Sequence, residues 1–245
     1  RDYALSDPLW VDLFFSTDCD LTAMHHDMTH DMILAPENCP LCTGAEVVEY
    51  HRDQRRAYLQ CSACQLVFVP EGFHLSNDQE KAEYDLHEND PQDAGYRSFL
   101  NRLAEPLLAT LQPGSQGLDF GSGPGPCLSL MLEEQGHTVA LYDLYYANHP
   151  ELLESQYDFI TATEVVEHLA KPLFELDRLW GMLKPGGQLA IMTKLVASPE
   201  KFANWHYKSD LTHISFFSVA TFEYLGQQWG SAPQFIGADV ILFQK

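Results

Sequence analysis

The spacing of apolar side chains divides this chain of 245 residues into two regimes. From residue 113 onward, short apolar runs alternate with amphipathic stretches. "GLDFG" reads as a short buried strand, "CLSLMLEEQG" as a helix closed by Gly136, "HTVALYD" as a second strand and "YDFITATE" as a third. "EHLAKPLFELDRLWGML" predicts a helix. "GQLAIMT" predicts a fourth strand after the Pro-Gly-Gly turn at 185–187, and "SVATFEYLGQQWG" a helix with Ser218 as its N-cap. "PQFIGADVILFQK" closes as a hairpin-like pair. Strands alternating with helices imply an α/β fold around a mostly parallel sheet, the final pair supplying an antiparallel edge.

Upstream the pattern changes. "YRSFLNRLAEPLLATL" places apolar residues at 96, 99, 100, 103, 107, 108 and 111, the spacing of a helix with one buried face. "SNDQEKAEYDLHEND" predicts another helix, capped at Ser76 or Asn77. Before it, "EVVEYHRDQRRAYLQC" reads as two strand arms around the polar turn Arg52–Arg56, and "LVFV" as a strand. Residues 1–32 show no periodicity and are expected to be a flexible or non-native extension. Within it His26 and His30, four apart, could share a metal on a helix. The expected organisation is therefore 1–32 extension, 33–75 small module, 76–112 helical linker or lid, and 113–245 α/β domain.

Cysteine spacing gives the small module its chemistry. Cys39, Cys42, Cys61 and Cys64 form two CxxC knuckles, each presenting two thiolates to one ion, so a structural zinc ribbon is expected. With four cysteine ligands no coordination position is left for water. Cys19 and Cys127 read as ordinary small residues.

The formal charge is −21. So acidic a chain repels a polyphosphate backbone, which weighs against nucleic acid as a broad-surface partner. Arg52, Arg55 and Arg56 read as solvated surface positions. No run of about 18 uncharged apolar residues occurs, so no membrane span is expected. The opening residues lack the plan of a secretory signal, and the expected location is cytoplasmic.

The first strand of the α/β region runs into Asp119-Phe-Gly121-Ser122-Gly123-Pro-Gly125-Pro126 and then a helix. Glycines there let the backbone turn tightly beside a ligand. Asp143 ends the next strand, well placed for ribose hydroxyls. A dinucleotide fingerprint would need Gly or Ala where Pro126 stands, so that pattern is broken. The observed Asp-x-Gly-x-Gly-x-Gly, with Asp143, "YDFITATEVVEHL" and "LKPGGQLAIMT", resembles class I S-adenosylmethionine-dependent methyltransferases over residues 113–245. The resemblance implies a Rossmann-like sheet, with Asp119, Gly121, Ser122, Gly123 and Gly125 at the methionyl end of S-adenosylmethionine. It implies Asp143 on the ribose and Thr163 and Glu164 along the pocket. Tyr157 stands only 14 positions after Asp143, so the third strand and helix of the family are abbreviated.

A four-cysteine ribbon followed by a tyrosine-bearing linker also resembles the front half of several bacterial methyltransferases, among them sugar C-methyltransferases and a ribosomal RNA guanine methyltransferase. Tyr84, His87, Asn89 and Tyr96 then either fold over the cofactor as a lid or serve as helix surface and turn.

Methyl transfer needs alignment and exclusion of water, and an oxygen or nitrogen acceptor also needs a base within reach. The candidates are His168, His206, Tyr207, Asp210 and His213, with His213 first as base, metal ligand or acceptor contact. Phe216, Phe217 and Ser218, in a run resembling a family segment, are expected to pack and cap. Glu164, Glu167 and His168, spaced as one face of a helix start, resemble with His213 the divalent-metal site of small-RNA 2′-O-methyltransferases. The alternative is a cofactor-contacting Glu164 followed by a capping Glu-His pair. The functional expectation is methyl transfer to a small or polar acceptor. The alternatives are an RNA methyltransferase guided by the ribbon, and a non-catalytic module that binds cofactor or docks a partner.

Overall fold

The computed structural model describes residues 38–86 and 90–245. The expectations for residues 1–32, including His26 and His30, and for His87 and Asn89 lie outside these residues.

The strands and helices follow the apolar pattern closely. Val47–Arg52 (β1), Ala57–Cys61 (β2) and Val67–Phe68 (β3) precede the helices Asn77–Tyr84 (α1) and Ala94–Leu108 (α2). Gln116–Phe120 (β4), Cys127–Glu133 (α3), Thr138–Tyr142 (β5), Tyr157–Thr163 (β6), Pro172–Met182 (α4) and Leu183–Met192 (β7) follow. Pro199–Ala203 (α5), Ser215–Phe216 (β8), Val219–Trp229 (α6), Gln234–Ile236 (β9) and Val240–Gln244 (β10) complete the order.

The six-stranded sheet has the order β5-β4-β6-β7-β10-β9. Its first four strands are parallel, and β10 joins β7 antiparallel with β9 outside it. Both faces are covered, which is why these strands read as continuous apolar runs. Leu118, Ile160, Leu189 and Ile241 pack on one side with Leu176, Leu179, Phe222 and Leu225 of α4 and α6. Phe159, Ala190 and Leu242 pack on the other with Leu100, Leu103 and Leu107 of α2 and Leu128 and Leu132 of α3. A Cβ at Gly117 would lie 2.1 Å from the Phe159 ring, so β4 carries glycine where that ring crosses it. The chain runs from β4 outward to β5 and returns to β6 on the opposite side. That reversal leaves a crevice at the carboxyl ends of β4 and β6, the usual ligand position in such sheets. Between β5 and β6 stands only one 3-10 turn, Pro150–Glu154, in keeping with the abbreviated segment expected there.

Two expectations need correction. The helix expected from Glu167 begins at Pro172, and Val166–His168 is a separate 3-10 turn. Glu164 adopts a left-handed φ of 52°, which breaks any helical run, and Pro172 sets the first turn of α4. Glu164, Glu167 and His168 therefore do not share one α-helical face. Nor is Arg56 a solvated surface residue: it is 2% exposed, because its guanidinium is enclosed between β2 and the chain before β8.

A second sheet, β1-β2-β3-β8, is antiparallel throughout. Its fourth strand comes from the distant segment before α6. A third apolar cluster, with Tyr58, Val67, Phe202, Tyr207, Ile214 and Phe216, seals that junction. The described residues belong to one compact unit.

Candidate active site and cysteine cluster

The glycine turn after β4 is stitched to the end of β5. The Gly121 N–H donates to the Tyr142 carbonyl at 2.7 Å, and the Gly123 N–H donates to Asp143 Oδ2 at 2.9 Å. Asp143 Oδ1 accepts from the backbone N–H groups of Tyr145 and Tyr146. Gly121 has a φ of 76°, and a Cβ there would meet Val165 Cγ2 at 2.4 Å, so only glycine fits on both counts. Downstream, the Gly125 carbonyl accepts from the Cys127 N–H as α3 begins.

Asp119 is buried in the sheet and accepts from Thr161 Oγ1 at 2.7 Å. Burial pushes its carboxyl up to about 6; the Thr161 bond opposes this and Asp143 adds to it. Ser122 Oγ, Thr163 Oγ1 and Glu164 Oε1 are buried with no hydrogen-bond partner among the described residues. Unsatisfied polar atoms gathered around a glycine turn mark a place built for a polar ligand. The donor set therefore fits a cofactor with amino, carboxylate and ribose groups.

Helix α1 lies against the loop after β5. Its N-cap Ser76 forms a full capping box with Gln79. Glu80 accepts from the hydroxyls of both Tyr84 (2.9 Å) and Tyr145 (2.6 Å), and Asp85 accepts from Tyr146 at 2.7 Å. The Tyr84 ring meets His168 edge-on at 5.3 Å. Tyr96, on α2, stacks on Phe99. Its hydroxyl is pushed up to about 12 by burial, then by the charges of Cys127, Asp119 and Glu164.

The acceptor candidates do not all converge. The Tyr207 hydroxyl lies 2.5 Å from Glu167 Oε1, 3.3 Å from Glu164 Oε2 and 3.3 Å from Thr193 Oγ1. Glu167 is fully buried, and its Oε2 has no partner among the described residues. Burial raises its carboxyl well above the usual range, and the Glu164 charge adds to the shift. His168 and His213 stand with ring centroids 4.7 Å apart. His213 Nδ1 pairs with the Tyr207 carbonyl at 2.7 Å, and His168 Nδ1 pairs with the Thr212 carbonyl at 3.2 Å. Donation from each Nδ1 leaves the lone pair of the neutral ring on Nε2. Asp210 Oδ2 is 3.7 Å from His213 Nε2. Burial pushes the Asp210 carboxyl up, but His213 and the Thr212 donors outweigh it and hold it below its ordinary value.

Tyr207, Asp210, His213, His168 and Glu167 thus form one cluster past the ends of β6 and β7. His206 is apart from it, exposed and 3.1 Å from Lys194 Nζ. Phe216 and Phe217 are buried and Ser218 caps α6 with a capping box, as expected. Sequence reasoning missed Thr193 and Lys194, although their place at the end of a parallel strand was a usable signal. Ligand atoms of Glu167, His168 and His213 lie within 4.8 Å of one another, and Glu164 is not in that group.

The four cysteines meet as two matched knuckles. Sγ separations are 3.4 Å for Cys39–Cys64 and for Cys42–Cys61, and all four sulfurs lie within 4.8 Å of one another. Each knuckle folds alike. Thr43 and Gln65, both with positive φ, donate to the carbonyls of Cys39 and Cys61. Cys39 and Cys61 donate in turn to Gly44 and Leu66.

A mostly parallel sheet whose glycine turn leads to an acidic second-strand end defines the Rossmann-like class I fold of S-adenosylmethionine-dependent methyltransferases. The chain belongs to the methyltransferase-domain family, whose pattern residues 88–232 match, more than half its length. Over 77 residues it is 31% identical to the ubiquinone biosynthesis O-methyltransferase of Pseudomonas savastanoi pv. phaseolicola, covering 31% of this chain and 33% of that protein. The match spans about a third of the length of the curated relatives. Among solved structures, the 1,6-didemethyltoxoflavin-N1-methyltransferase of Burkholderia thailandensis is 17% identical, with a TM-score of 0.45 over 80% of this chain and 97% of that one. An S-adenosylmethionine-dependent methyltransferase from Archaeoglobus fulgidus is 15% identical, with a TM-score of 0.48 over 61% and 94%.

Proposed function

We propose that this protein transfers the methyl group of S-adenosylmethionine to a hydroxyl of a small-molecule acceptor. The observation that carries the reading is the buried polar cluster of Glu167, Tyr207, His168 and His213 beside Glu164, at the strand ends that also bear the glycine turn. The activity of the curated relatives, O-methylation, points the same way.

The cofactor supplies a sulfonium methyl; the chain supplies the rest. The Gly121–Gly125 turn, Ser122 and Asp119 line the methionyl end, Asp143 receives the ribose hydroxyls, and Thr163 and Glu164 close the pocket wall. Tyr84 and Tyr96 cover it and keep water out. An in-line displacement then needs the acceptor oxygen aligned and its proton removed. His213 takes that proton at Nε2, while Asp210, 3.7 Å away, stabilises the imidazolium. Tyr207 orders the wall through Glu167 and Thr193, and His206 and Lys194 stand at its solvent edge.

A second reading rests on the grouping of Glu167, His168 and His213. Both imidazoles are oriented by carbonyls through Nδ1, as the ring N–H of a metal-bound histidine is held by a neighbouring acceptor. A divalent cation held by these three side chains would polarise an acceptor hydroxyl.

The cysteine cluster suits a structural zinc. Four thiolates around one tetrahedral ion at about 2.3 Å stand roughly 3.8 Å apart, close to the separations here. In this reading residues 33–75 are a zinc ribbon, 76–112 a lid and 113–245 the transferase domain. RNA guidance by the ribbon is disfavoured, because Arg56 is buried and Arg52 pairs with Glu49.

Calorimetry with S-adenosylhomocysteine tests the cofactor half: micromolar binding is expected, and absence of binding overturns it. Methyl transfer to a panel of phenols and catechols tests the acceptor class. Repeating that assay after a chelator that leaves the ribbon zinc in place separates base from metal.

A further inference from the structure

The turn between β1 and β2 places its second arginine, Arg56, at the back of the acceptor wall. Arg56 Nη1 donates to the Leu211 carbonyl at 3.0 Å, and Nη2 donates to the carbonyls of Lys208 and Asp210, each at 2.9 Å. Its Nε donates to the Tyr58 hydroxyl at 3.0 Å, and that hydroxyl donates to Asp53 Oδ2. Asp53 also holds the Lys208 ammonium at 2.9 Å, and burial and this ion pair act on it in opposite senses. One guanidinium of the cysteine module thus gathers the carbonyls of Lys208, Asp210 and Leu211, and one carboxylate holds the Lys208 ammonium, all from the segment that carries Tyr207, Asp210 and His213. The Tyr207 carbonyl pairs with His213 Nδ1.

These bonds are not interchangeable with solvent. Arg56 is 2% exposed, and Lys208 and His213 are buried too. A buried carbonyl that loses its donor keeps its full desolvation cost, so a shortened side chain releases the loop rather than leaving it in place. The planar fork matters as well: lysine carries the charge but cannot span three carbonyls at fixed angles. Immediately after the clamp, the Ile214 N–H donates to the Glu167 carbonyl and the Ile214 carbonyl accepts from the Val69 N–H, so the end of the segment is held from both sides. By contrast, the glycine turn and Asp143 bond among themselves and to Tyr142, Tyr145 and Tyr146, and among the described residues they make no hydrogen bond to residues 38–75.

We propose that Arg56 is a positioning residue for the acceptor wall, through which the four-cysteine module sets the conformation of residues 207–213 by hydrogen bonds that it does not make to the glycine turn. The proposal rests on the reading of that wall as the acceptor side. It makes the module an internal brace, in which ordering of the cysteine cluster is transmitted to Tyr207 and His213 by way of β2 and Arg56.

The test compares Arg56→Lys and Arg56→Met with the exposed neighbour Arg55→Lys in the full chain. Amide exchange is read by mass spectrometry on peptides covering 204–214 and 117–126, and S-adenosylhomocysteine affinity by calorimetry. Both Arg56 variants are expected to bind S-adenosylhomocysteine within about threefold of wild type. Exchange across 204–214 should quicken by at least tenfold, more for Met than for Lys, while 117–126 stays protected. Arg55→Lys should change neither. Unchanged exchange across 204–214 in a folded Arg56→Met protein overturns the proposal, as does equal loosening of 117–126. If Arg56→Met does not fold, Lys208→Met removes the Asp53 tie from the loop side and must loosen 204–214 selectively. Loss of S-adenosylhomocysteine binding by the wild type would instead sink the cofactor reading and leave the exchange result to stand or fall alone.

Discussion

Gly121 must satisfy two demands at once, a left-handed backbone and contact with Val165, and no other residue can meet both. Gly121→Ala is therefore expected to abolish S-adenosylhomocysteine binding in calorimetry while far-ultraviolet circular dichroism stays close to wild type. Asp119 makes a different kind of prediction. Its folded value of about 6 lies above the ordinary 3.8, so its contribution is fully present below about pH 4 and is lost as pH rises through 6. Relative to Asp119→Asn, the cofactor-free wild type should lose on the order of 2 to 3 kcal/mol between pH 4 and 6.5, read by urea unfolding. Tyr207→Phe removes the hydroxyl shared by Glu167, Glu164 and Thr193. It should lower kcat by roughly 10 to 100-fold with S-adenosylhomocysteine affinity unchanged. The glycine turn and Asp143 were legible because their backbone demands exclude most other residues. The burial of Arg56 was not, since a buried arginine and a solvated one read alike until the carbonyls around it are known.

At the scale of elements, local signals were reliable where the chain solves its own hydrogen bonding. Ser76 and Ser218 both act as N-caps with a partner three residues on, as their sequences expect. Ser218→Ala should cost about 1 kcal/mol in thermal or urea unfolding. The start of α4 was misjudged because apolar periodicity continues through 165–169, while the left-handed Glu164 and the 3-10 turn are set by packing against β7 and Gly121. A left-handed non-glycine residue costs roughly 1 kcal/mol or more, and it sits here at the wall of the proposed pocket. The two-residue strand β8 was invisible to pattern reading, because its pairing partner lies in another part of the sequence. Cys61→Ser should lower bound zinc, measured by atomic absorption, and should also speed amide exchange at Ser215 and Phe216.

The whole molecule carries a formal charge of −21, and among the described residues several cations are ion-paired: Lys208 with Asp53, Arg97 with Glu134, Lys184 with Asp158 and Arg102 with Asp239. No described helix is long and apolar enough to cross a membrane. The parallel core was legible as a whole, since strands buried on both faces leave unbroken apolar runs, whereas the union of the two sheets depends on contacts between remote segments. That union governs the order of events when the chain is made. Arg56 meets Leu211 across 155 residues, and β3 gains β8 only after the entire parallel core has been synthesised. An amino-terminal module that must wait for the last quarter of the chain has high contact order and forms late. Ribosome-bound fragments ending before residue 215 should therefore leave residues 57–69 open to protease, and longer fragments should close them together with the acceptor wall.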